Sequence, residues 1–294
     1  EENTVKEENG INVIVYRTNG DVINIDLEDY VAHVVGAEMP AAFNEEAIKA
    51  QAVLARTYAL KSLENGKRLT DNNSTQNYKD DDELRNIWGD NFDFCYNKIK
   101  NATEEVRGLY LSYNGEYIDA VYHSTSNGMT EDSKNVWGNS IPYLKSVNSD
   151  WDKEQTPYLR TISKSLTDVL DILGISSNNY EIISRDESNR VLEVKFGEKM
   201  FSGVEFRNLL GLRSADFDIE IIDNIVNITT RGYGHGVGLS QYGANYLANQ
   251  GYNYEKIVKY YYNGVKLEKK MWTICKCYVN IKLKEGNNYE SRSI

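Results

Sequence analysis

Alternating apolar residues open the chain, and helical periodicity follows them directly. Residues 11–17 and 22–25 alternate in strand fashion, which predicts a short hairpin. Asp26 stands where a helix N-cap is expected, and apolar side chains then recur at helical spacing until Pro40 ends the pattern. The pattern therefore predicts two strands, a helix and a tight connection to the next element.

A second helix is predicted from the cap residue Asn44 to about Ser62. Alanine and bulky apolar residues occupy most of its circumference, so we expect it to be buried nearly all round. Lys49 and Arg56 interrupt this pattern, and because they are about two turns apart they share one face. A bare buried charge is costly, so both should meet carboxylates, carbonyls or a ligand, unless they extend to solvent along an exposed stripe.

The middle of the chain is less apolar. Residues 65–105 are polar, and the acidic run at 80–83 is typical of a solvated surface. Residues 108–112 and 116–123 predict a hairpin. We therefore expect this part of the chain to return to sheet structure only after a long polar connection.

The second half predicts a separate arrangement of strands and helices. Residues 158–228 run strand–helix–strand–strand–helix–strand, the order of an inserted or appended α/β subdomain, and residues 241–261 form an amphipathic helical stretch. We predict an α+β fold with a mixed sheet, a helical subregion and this subdomain. The main domain should span 11–267, between a polar flank at 1–10 and a tail at 268–294.

Composition and charge exclude several classes of protein. The chain has 294 residues, 33 basic and 44 acidic, and a formal net charge of −11. That balance argues against a nucleic-acid binder, which needs a basic surface to displace counterions. It also argues against a polybasic contact with anionic lipid. No window of the sequence approaches the apolar length of a membrane span.

Two of the three histidines lie in loops crowded with small polar residues. His123 opens the loop HSTSNGMTE, and His235 is centred in GYGHGVG, whereas His33 lies within the first helix and should be structural. A metal site needs three or four ligands at defined spacing, and no such motif accompanies these residues, so we expect neither a metal nor another cofactor. A nearby Ser or Thr as nucleophile is a second possibility, although no nucleophile-elbow motif is present.

A carboxylate acting as acid and base is the third possibility, and Glu38 is the candidate. Its neighbours in sequence are apolar, and an apolar setting raises a carboxyl pKa toward that of a useful general acid. The alternative is an ordinary Glu at a helix end. Glu131 is the best candidate for a second carboxylate, although we favour a structural role or a role in fixing its loop.

Three long motifs then point to one family. The strings YVAHVVGAEMPAAFNEEAIKAQAVLARTYAL (30–60), HSTSNGMTE (123–131) and GYGHGVGLSQYGA (232–244) resemble the sporulation stage II protein D family. The resemblance implies a lytic transglycosylase that cuts the glycan strands of peptidoglycan during engulfment of the forespore. It also implies a place on the extracytoplasmic face of the mother-cell membrane, in the intermembrane space or septum, and an N-terminal membrane anchor that this sequence lacks.

The resemblance also assigns roles to particular residues. Glu38, in the family's A-E-M-P signature, is the implied acid and base of a helical subregion. A single carboxyl suffices if the substrate's own C6 hydroxyl attacks and closes a 1,6-anhydro-muramyl ring. Lys49 and Arg56 would face the cleft and make it locally basic. The implied substrate-binding residues are Lys49, Arg56, His123, Thr125, His235, Ser240, Gln241 and Tyr242.

Some expectations concern metal and partners. Certain clostridial relatives carry Cys and His ligands for zinc after the long helix, but residues 68–76 contain neither, so we expect no zinc here. The implied partners are peptidoglycan glycan strands, a sporulation amidase that strips their peptides, and a membrane-anchored protein. Two alternatives remain: a wall-glycan binding module or amidase activator without turnover, and a hydrolase that releases reducing ends.

Overall fold

The structure is a computed structural model that describes residues 10–270. The expected polar flank at 1–10 and the expected tail at 268–294 lie almost wholly outside this range. Within residues 10–270 no helix has both the length and the hydropathy needed to cross a bilayer.

Helices and short strands are interspersed along the whole described chain. The helices are α1 (Leu27–Glu38), α2 (Glu45–Glu64), α3 (Asp81–Trp88), α4 (Phe92–Glu105), α5 (Ser133–Trp137), α6 (Leu166–Leu173), α7 (Gly203–Leu210), α8 (Gln241–Asn249) and α9 (Tyr254–Tyr261). Short 3₁₀ turns lie at Gly89–Asn91 and Asp150–Glu154.

The strands are mostly short. They are β1 (Asn12–Tyr16), β2 (Val22–Asp26), β3 (Leu69–Thr70), β4 (Leu109–Tyr113), β5 (Glu116–Tyr117), β6 (Tyr122–His123), β7 (Leu159–Ser165), β8 (Tyr180–Arg185), β9 (Val191–Phe196), β10 (Lys199–Ser202), β11 (Phe217–Ile222), β12 (Ile225–Arg231), β13 (Leu239–Ser240) and β14 (Lys266–Lys269). The α+β class is thereby confirmed.

The expected single mixed sheet is replaced by several small sheets. Their strand orders are β2-β1-β3, β14-β4-β5, β6-β13, β10-β9-β8 and β11-β12-β7. Within this set the β2-β1-β3 sheet combines antiparallel and parallel pairing, and β6 pairs with β13 in parallel. The helices cover these small sheets, so a continuous central sheet is not needed to bury the apolar residues.

The first core surrounds α2, as the sequence predicts. Asn44 caps this helix through the Glu46 N–H, and Asp26 caps α1 in the same way, so both predicted N-caps are confirmed. Helices α1, α4, α8 and α9 and strand β4 pack around α2, and most of its side chains are buried. We call this apolar cluster, which also includes Val13 of β1, the first core.

A second core lies within residues 166–228. It is built from α6, α7 and the strands β9 to β12, and its largest side chains are Phe196, Phe206 and Phe217. None of its apolar residues belongs to the first core. The predicted boundaries of a subdomain at 158–228 stay a prediction, but this segment has an apolar cluster of its own.

The polar stretch at 65–105 is more regular than its composition suggests. Helices α3 and α4 lie in it, and the acidic run at 80–83 is not a simple solvated surface. Asp80 accepts a hydrogen bond from the Glu83 N–H, and Glu83 accepts one from the Asp80 N–H, which forms a capping box at the start of α3. Arg17 then binds both carboxylates and Asp71.

Candidate functional site

The end of α1 opens into a cleft of about 480 Å³. Glu38 is the last residue of α1, and the connection to α2 follows it. We call this cavity the Glu38 cleft. The described residues that line it are Glu38, Tyr58, Asn73, Thr75, Gln76, Asn77, Ala120, Val121, Tyr122, His123, Ser124, Arg207, Tyr233, Gly234, His235 and Gln241. Its volume lies within the range typical of small-molecule sites.

Glu38 is partly buried and held by the opposite wall. Its Oε1 accepts a hydrogen bond from the Asn77 N–H at 2.9 Å. Burial raises the pKa of Glu38, and hydrogen bonds from Asn77 and Tyr122 oppose that rise in part. The raised pKa confirms the direction expected from its apolar neighbours, and it favours a carboxyl that holds a proton until a reaction needs it.

The two histidine loops meet at this cleft. Strand β6 ends in His123 and pairs with β13, and Thr125 and Tyr233 exchange backbone hydrogen bonds across the loops. The rings of His123 and His235 lie 5.9 Å apart, centroid to centroid. Gly234 has φ +118°, and a Cβ there would stand 2.6 Å from the His123 Cβ, so this close approach requires glycine.

Both imidazoles are neutral near pH 7. His123 Nδ1 lies 3.2 Å from the Val237 carbonyl, which can only accept, so Nδ1 carries the proton and the buried Nε2 has no partner within residues 10–270. Burial, His235 and Arg190 keep the pKa of His123 well below its usual value. Burial and then Arg207 lower the pKa of His235 to about 4, and its Nδ1 accepts the Val237 N–H.

Lys49 and Arg56 do not line the Glu38 cleft, and the expectation that they face it is wrong. Arg56 is fully buried and donates to both carboxylate oxygens of Glu28 and to the Leu109 carbonyl. Lys49 lies between Glu46, at 2.9 Å, and Glu105, at 2.6 Å. The prediction that these charges meet carboxylates or carbonyls is confirmed. The partners lie within the protein, so no substrate is needed to compensate them.

The other predicted binding residues divide between cleft and scaffold. His123, His235 and Gln241 line the cleft. Three do not: Thr125 is buried in the pairing between the loops, Ser240 caps α8 by accepting the Gly243 N–H, and Tyr242 packs edge-on against Phe43. Ser240 is fully buried. The Gly-rich motif at 232–244 therefore forms both one face of the cleft and the start of α8.

Glu131 is the last residue of the loop that begins at His123. It does not line the Glu38 cleft, and it is buried in an ion pair with Arg190 at 3.1 Å. It also accepts the Asp132 N–H and hydrogen bonds from Asn135 and Ser188. These contacts agree with a role in fixing the loop. His33 likewise has a partner for each ring nitrogen, which confirms its structural interpretation.

Several cleft residues escaped the sequence analysis. The missed ones that carry polar side chains are Tyr58, Asn73, Thr75, Gln76, Asn77, Tyr122, Ser124, Arg207 and Tyr233. Tyr122 directly precedes one histidine loop and Tyr233 lies within the other, which was a usable signal. Arg207 belongs to α7 of the second core, and nothing in its local sequence marks it. Within residues 10–270 no group of three or more His, Cys, Asp or Glu side chains is arranged to hold a metal ion.

Comparison with known proteins identifies the family. The family described as Stage II sporulation protein matches residues 16–113. The chain is 41% identical over 279 residues to Stage II sporulation protein D of Bacillus amyloliquefaciens, covering 90% of this chain and 81% of that protein. It is 40% identical over 270 residues to Stage II sporulation protein D of Bacillus subtilis (strain 168), covering 87% of this chain and 79% of that protein. An Amidase enhancer of the same B. subtilis strain is 29% identical, with 39% of its length covered. This chain therefore belongs to the stage II sporulation protein D family.

Proposed function

We propose that this protein is a peptidoglycan lytic transglycosylase in which Glu38 is both acid and base. The observation that carries the proposal is that Glu38 is the one carboxylic acid among the described residues lining the cleft, and that burial raises its pKa. Glycosidases that use water or a protein nucleophile ordinarily need two carboxyl groups. One carboxyl is enough when the attacking group belongs to the substrate.

The reaction balances with this single group. Protonated Glu38 gives its proton to the glycosidic oxygen as the bond from C1 to that oxygen breaks. The C6 hydroxyl of the same muramyl residue then forms a bond to C1 and returns its proton to the Glu38 carboxylate. General acid–base help of this kind is worth about 10²–10⁴-fold in rate.

The neutral polar lining suits a sugar. His123 Nε2 is an acceptor without a partner within residues 10–270, and the neutral His235 ring, whose Nδ1 accepts the Val237 N–H, carries its proton on Nε2 as an uncharged donor. Tyr58 and Tyr122 also line the cleft, and a tyrosine offers an apolar face and a hydroxyl. In this proposal the ligand is a glycan strand without stem peptides. In the same proposal the protein acts at the extracytoplasmic face of the mother-cell membrane, beside a peptide-removing amidase and a membrane-anchored partner.

A second function is favoured by one relative. Its name is Amidase enhancer, so a glycan-binding activator without turnover is the alternative for this chain. A hydrolase that releases reducing ends is the third. In both cases the cleft would still bind glycan, but the products would differ.

One digestion separates the three. Peptide-free glycan strands are incubated with the protein, and the products are analysed by mass spectrometry. Anhydro-muramyl ends support the transglycosylase, reducing ends support the hydrolase, and intact strands support the binding protein. Glu38→Gln should lower the rate by about 10²–10⁴-fold while the protein stays folded. Glu64→Gln, at an exposed position near the end of α2, is the matched control and should retain full activity.

A further inference from the structure

Arg207 is a positive charge without a partner in the Glu38 cleft. Of the described residues that line this cleft, Glu38 is the one acid and Arg207 the one lysine or arginine, and both histidines are neutral. The guanidinium of Arg207 makes no hydrogen bond or ion pair within residues 10–270, and its Nε is buried without an acceptor. An arginine left in this state loses hydration without compensation.

Three other arginines in the same part of the molecule have carboxylate partners, whereas Arg213, whose Nε also lacks an acceptor within the described residues, lies over the ring of Tyr233. Arg190 is paired with Glu131 at 3.1 Å. Arg185 and Arg231 are each ion-paired with aspartates that precede or belong to β11. These arginines are compensated by carboxylates of the protein, whereas Arg207 faces a cavity that a ligand can enter.

The position of Arg207 places its charge at the histidine loops. It belongs to α7, which packs on the second core, while Glu38 belongs to α1 of the first core. Arg207 lies close enough to His235 to lower the pKa of that imidazole. The cleft therefore has its acid on one core and its cation on the other, and a bound ligand would contact both.

We propose that Arg207 is a carboxylate-binding subsite and that its ligand group is the lactyl carboxylate of a muramyl residue. This inference rests on the proposed glycan substrate. The hydroxyl and acetamido groups of such a strand are neutral. The lactyl group is anionic only where no peptide is joined to it through an amide. A guanidinium presents a planar fork that matches a carboxylate, so Arg207 makes the cleft selective for peptide-free muramyl residues.

The test is a binding measurement that does not depend on turnover. Short glycan oligosaccharides are prepared with free lactyl carboxylates or with the same groups converted to methylamides. Their affinities for Glu38→Gln, which leaves them intact, are measured by calorimetry. We expect the free carboxylate to bind about 10–100-fold more tightly, the range of a charge-assisted hydrogen bond.

Variants then assign that preference to one residue. Glu38→Gln/Arg207→Gln should bind both ligands equally, at the affinity of the methylamide, and Glu38→Gln/Arg207→Lys should keep part of the preference. The control Glu38→Gln/Arg160→Gln removes the same charge from an exposed position on β7 and should keep all of it. The subsite is overturned if Glu38→Gln/Arg207→Gln still prefers the free carboxylate over the methylamide. It is also overturned if Glu38→Gln itself shows no such preference. If binding depends on Arg207 but the wild-type protein leaves glycan strands uncut, only the transglycosylase proposal is overturned. The absence of all oligosaccharide binding overturns both.

Discussion

The guanidinium of Arg56 is enclosed by groups that compensate it fully. Glu28 accepts from it on both oxygens, and the Leu109 carbonyl accepts at 3.0 Å. Removing one member of a buried ion pair leaves an uncompensated charge, which costs far more than the net value of the pair. The geometry therefore gives Arg56 a role in stability.

Arg56→Met should lower the free energy of unfolding by about 3–5 kcal/mol, because Glu28 is left buried without its partner. Urea denaturation measures the loss. The double variant Arg56→Met/Glu28→Gln should recover much of it, since the amide still accepts the Gly108 N–H that Glu28 now accepts. Under the proposed function, turnover per folded molecule should stay near that of the wild type. A stable but inactive Arg56→Met protein would instead indicate that Arg56 contacts the substrate.

The neutral ring of His235 makes stability depend on pH. Its pKa is lowered from 6.5 to about 4, so between these values the unfolded chain binds a proton that the folded protein does not. The stabilisation of the folded protein by the neutral His235 ring is complete above about pH 6.5 and is lost as the pH falls to about 4. We expect His235→Gln, which cannot be protonated, to lack this part of the acid destabilisation. Chemical denaturation at a series of pH values measures this difference. Superimposable pH profiles of the free energy of unfolding for the wild type and His235→Gln would contradict the prediction.

At the scale of elements, Asp152 joins a 3₁₀ turn to both histidine loops. Its Oδ2 accepts the Ser126 N–H at 2.7 Å, and the nearby Ser240 and Ser149 hydroxyls help to lower its pKa. Burial raises the pKa of Asp152 from 3.8 to about 6 in spite of these donors. The folded protein therefore holds this proton more tightly than the unfolded chain does, and stability falls as the pH rises from about 4 to 6.

Asp152→Asn should remove that loss, because an amide keeps an acceptor for Ser126 without the buried charge. Its free energy of unfolding should equal or exceed that of the wild type at pH 7, and the difference between the two should shrink as the pH falls toward 4. The sign is opposite to that of His235, so the two variants can be told apart in one set of denaturation curves. A large destabilisation at pH 7 would mean that the loops need the ionised carboxylate.

Elements with a continuous apolar stripe were predictable, and elements specified by polar contacts were not. Helix α2 and its Asn44 cap follow from spacing alone. Helix α3 begins at an acidic run whose charges are used by a capping box and by Arg17, which lies more than 60 residues earlier in the chain. Hydrophobic periodicity carries no information about pairs of residues that are distant in sequence. From the sequence alone, this acidic run therefore cannot be distinguished from a solvated surface.

The site shows the same division. Glu38, His123 and His235 carry local signals, namely an acid among apolar residues and imidazoles in small-residue loops, and all three line the cleft. Lys49 and Arg56 carry an equally strong signal, but the carboxylates that compensate them are distant in sequence. Arg207 has no local signal, because its importance comes from the absence of a partner within residues 10–270, which only the three-dimensional structure shows.

At the scale of the whole molecule, the two cores are joined through the loop that carries His123. Glu131 in that loop pairs with Arg190, which lies between β8 and β9, and Asn127 donates to Asp216 and to the Ser188 carbonyl. These buried polar contacts link the loop to the second core, which also supplies Arg207 to the cleft. The geometry of the Glu38 cleft therefore depends on this junction.

Tryptophan fluorescence can report on the junction, since every tryptophan lies outside residues 158–228. In the wild type the fluorescence and far-ultraviolet circular dichroism transitions in urea should coincide, as for a cooperative unit. Arg190→Met leaves the Glu131 carboxylate buried and unpaired, so we expect a loss of about 3–5 kcal/mol and separation of the two transitions. The double variant Glu131→Gln/Arg190→Met removes the stranded charge while an amide oxygen still accepts the Asp132 N–H, so the transitions should converge again. Coincident transitions in Arg190→Met at wild-type stability would show that the cores are coupled elsewhere.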